Sequence, residues 1–197
     1  LHPPENSPRG IGNFGGGVGK ASFCGLGRKA GRIVYVVDRS GSMFNKFDYL
    51  RAKLNESIAN LTGRQEFCVL CFADDRPMEL TIDGQSGWHR ARDYAKAEAR
   101  KWIQSVATGS RGGRTDPVSA LRRAFSLPGA RPDVIFLLTD GRFTNEREVV
   151  AVLNELNRDR KVHVCTISFI GQEGGDVLEQ IARTHGGSYA HVTEDDL

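Results

Sequence analysis

With 197 residues, 39% of them hydrophobic, the chain can bury one sizeable core, and a single folded domain is expected. A formal net charge of +3 is too mild to argue for nucleic acid or a membrane surface as partner. No apolar run approaches the roughly 20 residues that cross a bilayer, so no direct membrane insertion is expected of this segment.

The chain starts at Leu1 rather than Met, which reads as an excised or processed piece and leaves localisation open. Residues 1–31 are rich in Gly and Pro (PPENSPRGIGNFGGGVGK) and read as a linker, with SFCGL a short piece able to dock. Residues 32–197 read as the domain. Residues 32–38 are a β-branched apolar run of strand length. Phe47, Leu50, Leu54, Ile58 and Leu61 then recur at helical spacing, with Gly63 as a stop. Residues 66–73 form a second apolar strand and 78–82 a short edge strand. Trp88, Ala91, Ala95, Trp102 and Val106 predict a helix over 88–106.

A glycine-rich loop, GSRGGRTDP, leads into a helix with Pro117 in its first turn and Thr115 or Asp116 as cap. The most hydrophobic strand, 133–139, ends at Asp140-Gly141. A helix over 145–158, a strand over 162–170, a helix over 176–184 and a strand over 188–192 complete the chain. Apolar strands alternating with helices predict a doubly wound, Rossmann-like α/β fold. Its sheet has six strands, mostly parallel with one antiparallel edge strand, and helices on both faces.

Cys68 and Cys71 make a C-x-x-C inside a strand, where residues three apart face opposite ways. No second C-x-x-C or spaced histidine pair accompanies them, so Cys24, Cys68, Cys71 and Cys165 read as small apolar residues, with a slight lean towards a reducing compartment.

In open α/β sheets the site lies at the carboxyl ends of the strands. The side chains there are Asp38, Ser40 and Ser42 after the first strand, Thr115 and Asp116 in the glycine-rich loop, and Asp140. Each alone is as readily a cap or turn former. Three oxygen-bearing loops after three strands are harder to explain that way. Oxygen donors without His or Cys suit Mg²⁺, Mn²⁺ or Ca²⁺. In a tight D-x-S-x-S loop alternate side chains can converge, with Gly41 expected to relieve the backbone.

VVDRSGSM, then GGRT and FLLTDG, resemble the von Willebrand factor type A domain and its metal-ion-dependent adhesion site. The resemblance spans residue 32 to the C-terminus. It implies Asp38, Ser40, Ser42, Thr115 and Asp140 as metal ligands, with one position left for water or an acidic side chain of a partner protein. It therefore implies a metal-dependent, adhesion-type protein-interaction module rather than an enzyme. The DRSGSM form looks more like bacterial members, which often sit in larger, sometimes membrane-attached chains or work beside ATPases. The alternative is a scaffold or regulatory subunit whose metal site is structural or unused. In well-studied relatives a long helix follows the last strand and moves with the metal site. Only TEDDL follows Val192 here, so either the chain is cut short or it lacks that lever, and a switch of the integrin kind is not carried over. Beyond the family pattern, Arg39, Arg111, Arg114 and Arg142 lie within a few residues of these ligands and are expected to ring the site for an acidic partner.

Other functions fit less well. GGGVGKAS departs twice from a phosphate-binding loop, with Phe14 at the first Gly and Ala21 at the Mg²⁺-binding hydroxyl. G-x-S-x-G is absent, and Ser40 stands where an aspartyl phosphatase would want a second acid. Arg90, Arg92, Lys96, Arg100 and Lys101 are interrupted by Asp93 and Glu98, with no stacking face for nucleic acid.

Overall fold

A computed structural model describes residues 19–73, 76–109, 113–171 and 173–196. Residues 1–18 of the proposed linker, with Phe14 of the phosphate-loop-like stretch, lie outside the described residues, as does Arg111. The described chain opens with two strands, β1 (Gly19–Phe23) and β2 (Leu26–Ala30), paired antiparallel. They are joined by Cys24-Gly25, whose φ values of 47° and 81° match the two-residue turn that best fits strand twist. The end of the presumed linker is thus a hairpin. Its Lys20-Ala21-Ser22-Phe23 alternation buries Ala21 and Phe23 while its glycine-rich surroundings disguise it.

The main sheet contains β3 (Arg32–Asp38), β4 (Glu66–Phe72), β5 (Met78–Glu79), β6 (His89–Arg90), β7 (Val134–Thr139), β8 (His163–Phe169) and β9 (Tyr189–Val192). Its order is β5-β4-β3-β7-β8-β9, with β6 also on β4. All pairings from β4 through β9 by way of β3 are parallel. The antiparallel edge is two short strands placed end to end along β4, rather than one over 78–82: β5 pairs with Leu70 and Cys71, β6 with Glu66 and Phe67. Glu79 ties this edge down, accepting both guanidinium bonds of Arg123 at 2.7 and 2.8 Å.

Among the described residues, five helices flank the sheet: α1 (Phe47–Ala59), α2 (Asp93–Ser105), α3 (Val118–Phe125), α4 (Glu146–Leu156) and α5 (Gly175–Thr184). Side chains of β3 alternate between two cores. Ile33, Tyr35 and Val37 pack with α1, α2 and the hairpin, while Val34 and Val36 pack with α3, α4 and α5. A strand buried on both faces needs no polar residue, which is why the sequence runs are continuous. Cys71 and Cys68 fall into opposite cores for the same reason.

The helix expected over 88–106 begins only at Asp93. Trp88 and Ala91 are at helical spacing, but β4 offers an unpaired edge, and that pairing outweighs local pattern: Ala91 N–H donates to Gln65 O at 2.9 Å. Arg90 therefore lies on a strand, apart from the basic residues of α2.

After α5, buried His185 accepts at Nδ1 from Arg160 Nη1 (2.8 Å) and Asn157 Nδ2 (3.0 Å). Burial, aided by the Arg160 charge, pushes its imidazole down from 6.5 to about 4. Between those values the unfolded chain binds the extra proton and the folded one does not, so stability falls as pH falls through this window. The loss reaches about 2 kcal/mol near pH 5. Thermal unfolding should show the midpoint dropping by several degrees from neutral pH to about pH 5, and less in His185→Gln. Identical slopes for the two proteins would refute this.

Candidate metal centre

Because β3 and β7 are adjacent and parallel, with Val37 opposite Leu138, their last residues emerge side by side. Asp38 ends β3 and is fully buried; Asp140 follows β7 and is buried too. From Asp38 the chain turns through Arg39 and Ser40 into a single 3-10 turn, Gly41–Met43, before α1. Ser40 N–H donates to Asp38 Oδ1 at 2.7 Å, which folds the loop back on its own carboxylate. Gly41 is buried in this turn and is not among the residues with positive φ, so the turn does not draw on left-handed freedom there.

The side chains connect in one chain. Ser42 Oγ donates to Asp140 Oδ1 at 2.8 Å, which leaves Ser40 Oγ as donor in the 3.0 Å contact with Ser42 Oγ. Thr139 Oγ1 donates to the other Asp38 oxygen, Oδ2, at 2.6 Å. Lys46 Nζ reaches Asp140 Oδ2 at 2.8 Å. Four of the five ligand candidates, Asp38, Ser40, Ser42 and Asp140, are therefore brought together.

Thr115, the fifth, is half-buried on the neighbouring loop. Its N–H donates to Thr144 Oγ1 at 2.9 Å, and its carbonyl accepts from Thr144 N–H at 3.0 Å, beyond Asp140. Asp116 N–H binds Ala73 O at 3.0 Å, at the end of β4. The Asp116 carboxylate accepts from the N–H of Val118, the first residue of α3, at 3.0 Å. These bonds hold the loop to the same rim of the sheet.

The predicted arginines part company. Arg39 is only 9% exposed and packs beneath the neighbouring loop, its carbonyl accepting from Gly109 N–H at 2.6 Å. Arg114 and Arg142 are exposed, the former 3.8 Å from Asp116 Oδ2.

Three further participants, Thr139, Thr144 and Lys46, stand outside the residues that the sequence motifs single out. Thr139 stands in the quoted FLLTDG, and a hydroxyl ending an apolar strand was its signal. Lys46 left a fainter one, the first cation after the D-x-S-x-S loop.

Burial pushes the Asp38 carboxyl up to about 6, and the Asp140 charge pushes the same way, while bonds from Thr139 and Ser40 oppose the rise. Among the described residues, two buried carboxylates thus share one cup with the Lys46 ammonium, an arrangement that invites further positive charge. Among the described residues no group of three or more His, Cys, Asp or Glu is placed to hold a metal. The cup's set of two carboxylates plus neutral hydroxyls is hard and entirely oxygen, and fits Mg²⁺, Mn²⁺ or Ca²⁺.

Residues 31–191 match the profile of the von Willebrand factor type A domain. The chain belongs to this family. No curated protein matches it significantly. Among solved structures, this von Willebrand factor A domain is similar to one from Catenulispora acidiphila at 21% identity and TM-score 0.65, covering 86% of this chain and 40% of that one. It is also similar to proximal thread matrix protein 1 of the mussel byssus, at 22% identity and TM-score 0.62, covering 91% and 45%. The pilus adhesin SpaC of Lactobacillus rhamnosus GG, in its open conformation, gives 13% identity and TM-score 0.66 over 84% and 28%. The domain thus spans less than half of each of these proteins. At such identities the likeness concerns the fold.

Proposed function

We propose that this von Willebrand factor A domain is a protein-interaction module that uses a divalent cation to take an acidic side chain of a partner. The carrying observation is the pair of buried carboxylates, Asp38 and Asp140, linked through Ser40 and Ser42 at the carboxyl edge of the sheet. Asp38, Ser40, Ser42, Thr115 and Asp140 would hold Mg²⁺, or Mn²⁺ or Ca²⁺. The ion would supply residual positive charge for a partner Asp or Glu. Exposed Arg114 and Arg142 extend that charge along the rim, while buried Arg39 supports the loop. The pilus adhesin among the structural relatives agrees with an interaction role. The reading assigns no catalytic step: among the described residues the Ser40 and Ser42 hydroxyls face each other and the Asp140 carboxylate.

Calorimetry with Mg²⁺ or Mn²⁺ tests it. The intact domain should bind one ion and Asp38→Ala none, while immobilised domain should retain a protein that EDTA releases. Arg114→Ser with Arg142→Ser should weaken that retention at low salt. Absence of ion binding by the intact domain would overturn the reading and leave the scaffold alternative.

A further inference from the structure

We propose that Lys46 is the built-in counter-ion of the cup and sets how tightly it takes a divalent cation. The inference rests on the reading of the cup as a cation site. Lys46 Nζ lies 2.8 Å from Asp140 Oδ2, and Ser42 Oγ lies 2.8 Å from Oδ1 of the same carboxylate. Both oxygens of Asp140 are therefore engaged, one by a hydroxyl and one by a full positive charge. The Asp140 side chain is 2% exposed, whereas that of Lys46 is 26% exposed, so the ammonium closes the cup from its solvent side.

The position is fixed by backbone as well as by charge. Lys46 N–H donates to Met43 O at 2.9 Å, closing the loop that carries Ser42. The Lys46 carbonyl accepts from Leu50 N–H at 3.1 Å and so starts α1. The same segment that presents Ser40 and Ser42 delivers the cation to Asp140, 94 residues away in sequence.

In the absence of a metal, a buried carboxylate without a partner carries a desolvation penalty, and Lys46 relieves it for Asp140. Among the described residues, the hydrogen-bonded side chains of the cup carry the charges of Asp38, Asp140 and Lys46, which sum to a single negative charge when all are ionised. A divalent ion sharing Asp140 must either displace the ammonium or sit beside it, and both weaken binding. Lys46 thus exchanges affinity for stability of the empty site.

The test compares the wild-type domain with Lys46→Gln, and with Lys46→Met as a second neutral variant. Binding of Mn²⁺ and Mg²⁺ is read by calorimetry at mildly alkaline pH, and thermal midpoints are read in EDTA. The neutral variants should bind Mn²⁺ at least about tenfold more tightly. They should also melt lower than wild type in EDTA, with the gap narrowing as Mn²⁺ is added. Lys46→Arg, which keeps the charge, should stay near wild-type affinity. Ion binding by a neutral variant when the wild type binds none would overturn the inference, since it rests on binding by the intact domain. Equal or weaker binding by the neutral variants beside a binding wild type overturns the Lys46 role alone. No binding by either overturns the cation reading together with it.

Discussion

Phe23→Ala is expected to cost the domain about 3–5 kcal/mol, the usual loss for emptying a core aromatic site. That corresponds to a fall in the thermal midpoint on the order of 10 °C for a chain of this size. Phe23 is 1% exposed although it comes from the hairpin that precedes the sheet. Its ring stands edge-on to Tyr35 at 5.3 Å and to Phe136 at 5.8 Å, so it covers the centres of β3 and β7. The hairpin is also bonded in place: Ser57 Oγ donates to Ser22 O, and Gln65 Nε2 to Ala30 O at 2.8 Å. Asp133 Oδ2 accepts from Gly31 and Arg32 N–H at 2.7 and 2.8 Å where the hairpin enters β3. Removing the ring leaves a cavity that these anchors hold open, which places the loss towards the upper end of the range. A midpoint within about 2 °C of wild type would mean that the hairpin is an ornament and the sheet is covered without it.

The parallel sheet was legible because strands such as 32–38 and 133–139 are apolar without interruption, which only burial on both faces allows. The gathering of Asp38, Ser40, Ser42 and Asp140 was legible for a related reason. Adjacent parallel strands put their last residues at one edge, so residues 98 positions apart, Ser42 and Asp140, can be foreseen as neighbours. What escaped depended on tertiary competition or on side-chain direction. Trp88 and Ala91 satisfy a helical period, yet the open edge of β4 claims their segment. Arg39 lies between two cup residues in sequence, but its alternate position in the loop turns it inward under Gly109. Lys46 carries no motif at all; its role depends on where the 3-10 turn ends and α1 begins.

Gly171→Ala is expected to weaken ion binding by roughly 10–100-fold, the range typical of losing support behind a metal ligand. A Cβ added at Gly171 would lie 1.7 Å from the Asp140 carbonyl oxygen and 2.8 Å from its carbonyl carbon. Both are backbone atoms, so no side chain can rotate away, and the Asp140 peptide itself must shift. Its carboxylate meets Ser42 and Lys46 at 2.8 Å each, distances that tolerate little displacement. The counterpart is Gly187→Ala, whose Cβ would come 1.8 Å from Val164 O near the start of β8, at the opposite end of the sheet. Both substitutions should lower the thermal midpoint by clashes of similar severity. Only Gly171→Ala should reduce Mn²⁺ affinity when calorimetry is run well below both midpoints. Equal affinities in the two variants would show that the Asp140 loop absorbs the shift without moving its carboxylate. A loss confined to Gly171→Ala would mean that the close approach of the β8 loop sets the position of Asp140, and that the cup is aligned from behind by a residue bearing no side chain.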